Sequence, residues 1–178
     1  QLFKYLQAFW PVLWEVVMFN VGDKIVYPMH GAGVIEAIEE KEILGSKQRY
    51  YVLKMPLNGM RVLIPTCNVE GIGIREVIPK NEVAKVIQLL SAYCPDVKLN
   101  WNKRYRENMQ KIKSGSVYEV AKVVKELMAR EKQKGLSTGE KKMLNSARQI
   151  LISELILSME CDENTIQAAI EECIKSDA

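Results

Sequence analysis

Histidine is almost missing from this chain: His30 is the only one in 178 residues, so a metal site would have to rest mainly on carboxylates. It stands in a glycine turn with Asp23 and Glu36 as its nearest acidic neighbours in sequence, and a surface or turn role is expected for it. Cysteine is scarce and scattered. Cys67, Cys94, Cys161 and Cys173 form no C-x-x-C pair, which argues against a zinc site or redox motif and for free thiols in a reducing cytoplasm. Phosphate-cradling signatures are absent too. The glycines of HGAGV and GIGIR do not form G-x-G-x-x-G, and G-x-x-x-x-G-K-[ST] does not occur; G-x-S-x-G is met only as GLSTG at residues 135–139, between two helical runs and not on the strand-to-helix turn of a nucleophile elbow. These gaps weigh against a dinucleotide enzyme, an NTPase and a hydrolase. A binding protein is expected, not an enzyme, with no cofactor and no metal.

Long apolar runs are also lacking. The first seventeen residues, QLFKYLQAFWPVLWEVV, hold two of the three tryptophans, but Lys4, Gln7, Pro11 and Glu15 interrupt them. The stretch is too short and too broken to span a bilayer, and it lacks the charged start and small-residue cleavage site of a secretory signal. Residues 1–17 are read as an extension, non-native or upstream of the natural start at Met18; the alternative is an amphipathic arm that packs on a partner.

With 48% apolar and 26% charged residues, the whole chain has the composition of a globular protein of one ordinary domain or two small ones. The net charge of +3 conceals a partition. Residues 98–150 carry fourteen Lys or Arg against five Asp or Glu, a net of +9, whereas residues 151–178 carry one against seven, a net of −6. A charge run is commonly a solvated helix face; beside an aromatic, the same excess also suits a phosphate-binding surface.

Two textures follow one another. Up to about Pro79, KIVYP, AGVIEAIEE, QRYYVLKM and MRVLIP are short runs rich in Val, Ile, Leu and Tyr. Turn residues bound them at Gly22-Asp23, Gly31-Ala32-Gly33, Leu44-Gly45-Ser46 and Asn58-Gly59. Such spacing predicts a small, strongly bent sheet or barrel. After Pro79 the period becomes helical. A helix from Asn81 to about Tyr93 puts Val83, Val86, Ile87 and Leu90 on one face, with Pro95 as its stop. A second runs from near Trp101 to Ser114-Gly115. Capping boxes at Ser116…Glu119 and Ser137…Glu140 open the third and fourth, and Asp162 caps a fifth. The class is therefore α+β in two modules, the second a bundle of about five helices.

The basic half holds the most informative residue. Along residues 102–113, Lys103, Arg106 and Gln110 share one helix face, while Tyr105, Met109 and Ile112 share another suited to the bundle interior. Trp101, in the first turn, belongs to neither stripe. Either it caps the bundle edge against Pro95 or Leu99, or it is a wedge that enters a groove or stacks on a base while neighbouring cations hold phosphates.

FNVGDKIVYPMHGAGVIEAIEEKEILG and NWNKRYRENMQKIKSGSVYEVAKVVKELMAREKQKGLSTGEKKMLNSARQILISEL together resemble the CarD and CdnL family of bacterial transcription regulators over residues 18–158. VYPMHGAGVI, NWNKRY, GLSTGEKKML and ARQIL carry most of the likeness. The first half alone is similar to the polymerase-interacting domain of the transcription-repair coupling factor, but the chain has no motor motifs and continues into the family's helical tail. The resemblance implies a Tudor-like β module, residues 18–79, that docks on the RNA polymerase β subunit. It also implies a helical DNA-binding module, residues 80–178, held against promoter DNA near the −10 element at the upstream edge of the bubble. Trp101 would wedge into the minor groove, and Arg104, Arg106 and Lys141, with Lys103 and Lys142 as neighbours, would steady the DNA backbone. Lys41 matches a family polymerase contact. A family arginine on the strand entering VLIP falls on Leu63 here; Arg61, two residues earlier on the same strand face, is expected to substitute. The expected complex includes the housekeeping sigma factor. The protein is expected to be a monomer of the cytoplasm, associated with the nucleoid through polymerase and without membrane contact. The alternative is a protein adaptor whose basic helical module binds an acidic partner, with Trp101 buried.

Overall fold

The computed structural model describes residues 19–43, 45–92 and 100–175. The extension over 1–17, Leu44 of the predicted turn, Cys94, the helix stop at Pro95 and the proposed Leu99 contact lie outside the described residues.

Five antiparallel strands form one sheet: β1 Lys24–Tyr27, β2 Gly31–Ile43, β3 Ser46–Lys54, β4 Arg61–Pro65 and β5 Arg75–Glu76, in the order β4-β3-β2-β1-β5. β4 and β5 are edges, so of the two predicted forms the open sheet is the one adopted. Alternation puts Ile25, Ile35, Tyr51, Leu53 and Ile64 on one face, where they form a small core with Phe19, Met55 and Val69. The pairing slips between Ile35 and Ala37, an irregularity that takes Glu36 out of register. Asn58 and Gly59 lie in the loop joining β3 and β4, where Gly59 has φ 65° and the Met55 amide donates to the Met60 carbonyl at 2.9 Å. A 3-10 turn, Thr66–Asn68, and a short helix α1, Val69–Ile72, lead into β5.

Helices α2 Lys80–Ala92, α3 Trp101–Lys113, α4 Val117–Lys134, α5 Thr138–Met159 and α6 Glu163–Lys175 make the bundle. Val86, Leu90, Val124, Leu127, Leu151, Leu155 and Ile170 fill its interior, a core separate from that of the sheet. None of the described helices is long and apolar enough to cross a membrane. The capping box at Ser137 forms as the sequence predicts, and Asp162 accepts from the Thr165 amide at 3.0 Å. The box at Ser116 does not form. Ser114 Oγ takes the Ser116 amide that Glu119 would have captured, and Glu119 turns to Lys122 at 2.6 Å instead.

The modules meet along a polar seam. β2 enters beside α5 at Gly31, where φ is +105° and an added Cβ would stand 2.7 Å from Ser153 Oγ. That hydroxyl accepts from the Ala32 amide at 2.8 Å. At Gly33 an added Cβ would lie 2.7 Å from both Leu53 Cγ and the Lys54 carbonyl. The glycines of HGAGV thus admit two neighbours, α5 and β3, at backbone range. From β5, Arg75 Nη1 and Nη2 donate to the two oxygens of Glu154 at 2.6 and 2.8 Å, while Nε and Nη2 donate to the Gly115 carbonyl at 2.9 and 2.7 Å. Glu154 is 1% exposed and also accepts from the Ile78 amide at 3.1 Å. One guanidinium therefore ties the sheet to α5 and to the turn that ends α3.

Candidate nucleic-acid interface

Trp101 is the first residue of α3, whose N-cap, Asn100, accepts from the Asn102 amide at 2.9 Å. The extended Ser137 caps α5 close by, because the Trp101 indole N–H donates to Ser137 Oγ at 3.2 Å. Two helix N-termini, each with a partial positive charge, thus converge on one edge of the bundle. The indole lies against the Tyr105 ring, with centroids 5.4 Å apart and planes inclined by 26°. It remains 45% exposed, so it is supported from beneath and not buried. Lys103 and Arg106 on α3, and Lys141 and Lys142 in the first two turns of α5, are also exposed. Tyr105, Met109 and Ile112 enter the bundle core as their spacing predicts.

Arg104 requires a correction. It is only 4% exposed, and its Nε and Nη2 donate to Glu140 Oε1 at 3.0 and 2.6 Å, so it faces inward and does not join the exposed cations that could steady a phosphate backbone. One turn after Trp101, the α3 helix directs this side chain into the groove against α5. Glu140, 3% exposed, is the hub: its second oxygen accepts from the Ser137 amide at 3.1 Å and the Ser137 hydroxyl at 2.9 Å. Arg130 Nε approaches Oε1 at 3.6 Å. Burial pushes the Glu140 carboxyl upward, but hydrogen bonds from Arg104 and Ser137 and the Arg104 charge outweigh it, holding the group below its ordinary value. The sequence revealed the Ser137…Glu140 capping box. That its serine touches the Trp101 indole and its glutamate pins Arg104 required the fold.

The other predicted residues lie on the sheet. Lys41 pairs across from Gln48, Arg61 from Lys54 and Leu63 from Val52, and β3 alternation puts all three on one face. Gln48 and Lys54 are separated by about 20 Å at ~3.3 Å per residue. Leu63 is 39% exposed on the edge strand β4. Arg61 is held by Glu36, Nε to Oε2 at 2.7 Å, and its hydrogen bond keeps that carboxyl below its usual range. Lys41 reaches Glu39 at 3.2 Å. His30 is an exposed turn residue whose ring centroid lies 4.3 Å from that of Tyr27.

Comparison with known proteins agrees with this layout. Residues 19–78 match the family model of the CarD-like/TRCF RID domain, and residues 85–171 match that of the CarD C-terminal domain. The chain is similar to the putative transcription factor YdeB of Bacillus subtilis (strain 168), with 48% identity over 138 residues, 78% of this chain and 90% of the relative. It is also similar to a solved structure, "CdnLNt from Myxoccoccus xanthus", with 47% identity, 34% of this chain and 84% of that one covered, and a TM-score of 0.30. With both halves matched in order and a relative this similar along most of its length, the chain belongs to the CarD/CdnL family of transcription regulators.

Proposed function

We propose that the protein docks through its sheet on the RNA polymerase β subunit and stabilises the promoter open complex by wedging Trp101 into the minor groove at the upstream edge of the bubble, near the −10 element. The observation that carries this reading is the half-exposed indole at two converging helix N-termini, with Lys103, Arg106, Lys141 and Lys142 exposed on the same two helices. An aromatic face can enter an unstacked step while cations and helix amides hold the flanking phosphates. Phosphate contacts of this kind position a protein without reading sequence. The adaptor alternative calls for a buried Trp101, which 45% exposure disfavours.

The energetics are those of a shifted equilibrium. A ligand that binds only the melted junction favours it by its differential affinity. A stack of about 1–3 kcal/mol, at ~1.4 kcal/mol per tenfold, raises the open population about five- to hundredfold. Tethering to polymerase supplies effective concentration, so affinity for free DNA can be weak. For the tether, β4 offers an open edge with Leu63 outward and Arg61 and Lys41 on the same face. The housekeeping sigma factor shares the complex in this reading.

Two measurements test it. Open-complex lifetime on a ribosomal-type promoter should fall at least about fivefold with Trp101→Ala; an unchanged lifetime sinks the wedge. Charge reversal at Lys41 and Arg61 should weaken capture of the polymerase β-subunit lobe, and undiminished capture would show that another face docks.

A further inference from the structure

We propose that Ser137 is a positioning residue for Trp101, one that fixes the indole plane for entry and takes its hydrogen-bond donor out of base recognition. The inference rests on the wedge reading and deepens it. A tryptophan on a surface helix has two side-chain torsions to freeze on binding, a loss that weakens association unless the bound rotamer is already favoured. Here both are restrained before DNA arrives: Tyr105 lies against the ring at 5.4 Å between centroids, and Ser137 Oγ accepts the indole N–H at 3.2 Å.

The acceptor is itself held in place. Ser137 Oγ accepts from the Glu140 amide at 3.3 Å and donates to Glu140 Oε2 at 2.9 Å, and Arg104 holds the other oxygen at 2.6 Å. Arg104 lies on the same helix as Trp101, so the loop of contacts closes from α3 to α5 and back. Such support under a functional side chain sets its geometry more tightly than packing alone. Indole has one donor and no acceptor. With that donor engaged by Ser137, the ring meets DNA as an apolar slab and contributes stacking and shape without a hydrogen bond to a base edge.

The test uses the full chain with polymerase on a promoter, comparing Ser137→Ala, Ser137→Thr, Trp101→Phe and the Ser137→Ala/Trp101→Phe pair. Ser137→Ala should shorten open-complex lifetime about two- to tenfold, the range of a hydrogen bond of about 0.5–1.5 kcal/mol. Ser137→Thr, which keeps the hydroxyl, should restore it. Because Trp101→Phe removes the indole N–H, the double variant should fall no further than the worse single; effects that multiply would mean that Ser137 acts only as a helix cap. In a background with Trp10 and Trp14 replaced by Phe, Ser137→Ala should also lower the fluorescence anisotropy of Trp101 without DNA, and an unchanged value overturns the proposal. A lifetime that falls with Trp101→Ala but not with Ser137→Ala overturns it as well and leaves the wedge standing. A lifetime unmoved by Trp101→Ala removes the wedge and the proposal together.

Discussion

The seam between the modules and the edge that carries Trp101 are built with the same chemistry and serve different ends. At the seam Arg75 grips Glu154; beneath the tryptophan Arg104 grips Glu140, and both carboxylates are buried. Arg75 keeps its side chain 31% exposed and reaches three segments, the sheet, α5 and Gly115 after α3. Arg104 is enclosed and joins two helices of one module. The first therefore sets where α3 stands relative to the sheet, and the second sets how the indole stands on α3. A protein held by one module while acting through the other needs both, because an error in angle at the seam grows with distance to the tip.

Removing the seam cation should have the largest effect. Among the described residues, Arg75→Met leaves the Glu154 carboxylate buried with the Ile78 amide as its remaining hydrogen-bond partner, and loss of one partner of a buried pair costs about 3–5 kcal/mol. Urea unfolding measures this, and a loss under ~1 kcal/mol would mean that water reaches Glu154 and the seam is loose. In refolded protein kept below its midpoint, the open-complex effect should also weaken although Trp101 is untouched.

Glycine at the seam comes next. Gly31→Ala should cost about 1–3 kcal/mol by overpacking against Ser153, beyond the strain of its positive φ. Gly22→Ala is the matched control, since its φ is +97° and an added Cβ there meets nothing within 4 Å. Equal losses in the two variants would attribute everything to backbone strain and remove the close approach of β2 to α5 as a cause.

How much of this was legible beforehand follows from the range of each interaction. Period and turn chemistry act over a few residues, which is why the first four strands, the five long helices and the inward stripe of Tyr105, Met109 and Ile112 could be read directly, whereas the two-residue β5 is too short to carry a period. The two arginine pairs join residues 79 and 36 positions apart, and no local pattern announces them. Arg104 looked like its neighbours Lys103 and Arg106 in the sequence because charge alone does not tell which side of a helix meets α5. Gly31-Ala32-Gly33 read as a turn in the sequence, but they open β2 and pair with β1, the turn itself being residues 28–30; their closeness to Ser153 and Leu53 depends on how strand and helix stack.

Acid should weaken the pin beneath Trp101. Glu140 is held below its ordinary value when folded, so the unfolded chain takes up the proton more readily. The contribution is complete above the unfolded carboxyl value, ~4.3, and is lost as pH falls through the lower folded one. Among the described residues, Arg104 and Arg130 are the cations that face it. Stability measured from about pH 5 to pH 3 should therefore fall more steeply for the wild type than for Glu140→Gln. Parallel curves would place the acid sensitivity in other carboxyls.

The smallest effect concerns the two serines that share one sequence signature. At Ser137 the hydroxyl accepts from the Glu140 amide, so Ser137→Ala should destabilise the fold by about 1 kcal/mol. Ser116 makes no side-chain cap bond, and Ser116→Ala should stay within about 0.5 kcal/mol of wild type. The difference arises from what stands nearby. Ser114 competes for the Ser116 amide and Lys122 for Glu119, whereas Arg104 holds the other Glu140 oxygen and leaves Oε2 to the Ser137 amide and hydroxyl. Thermal unfolding of the two variants compares the sites directly. If Ser116→Ala proved as costly as Ser137→Ala, the motif alone would decide stability and its surroundings nothing. If both were neutral, the Ser137 hydroxyl would matter only through Trp101, which would separate its effect on the wedge from any effect on the fold.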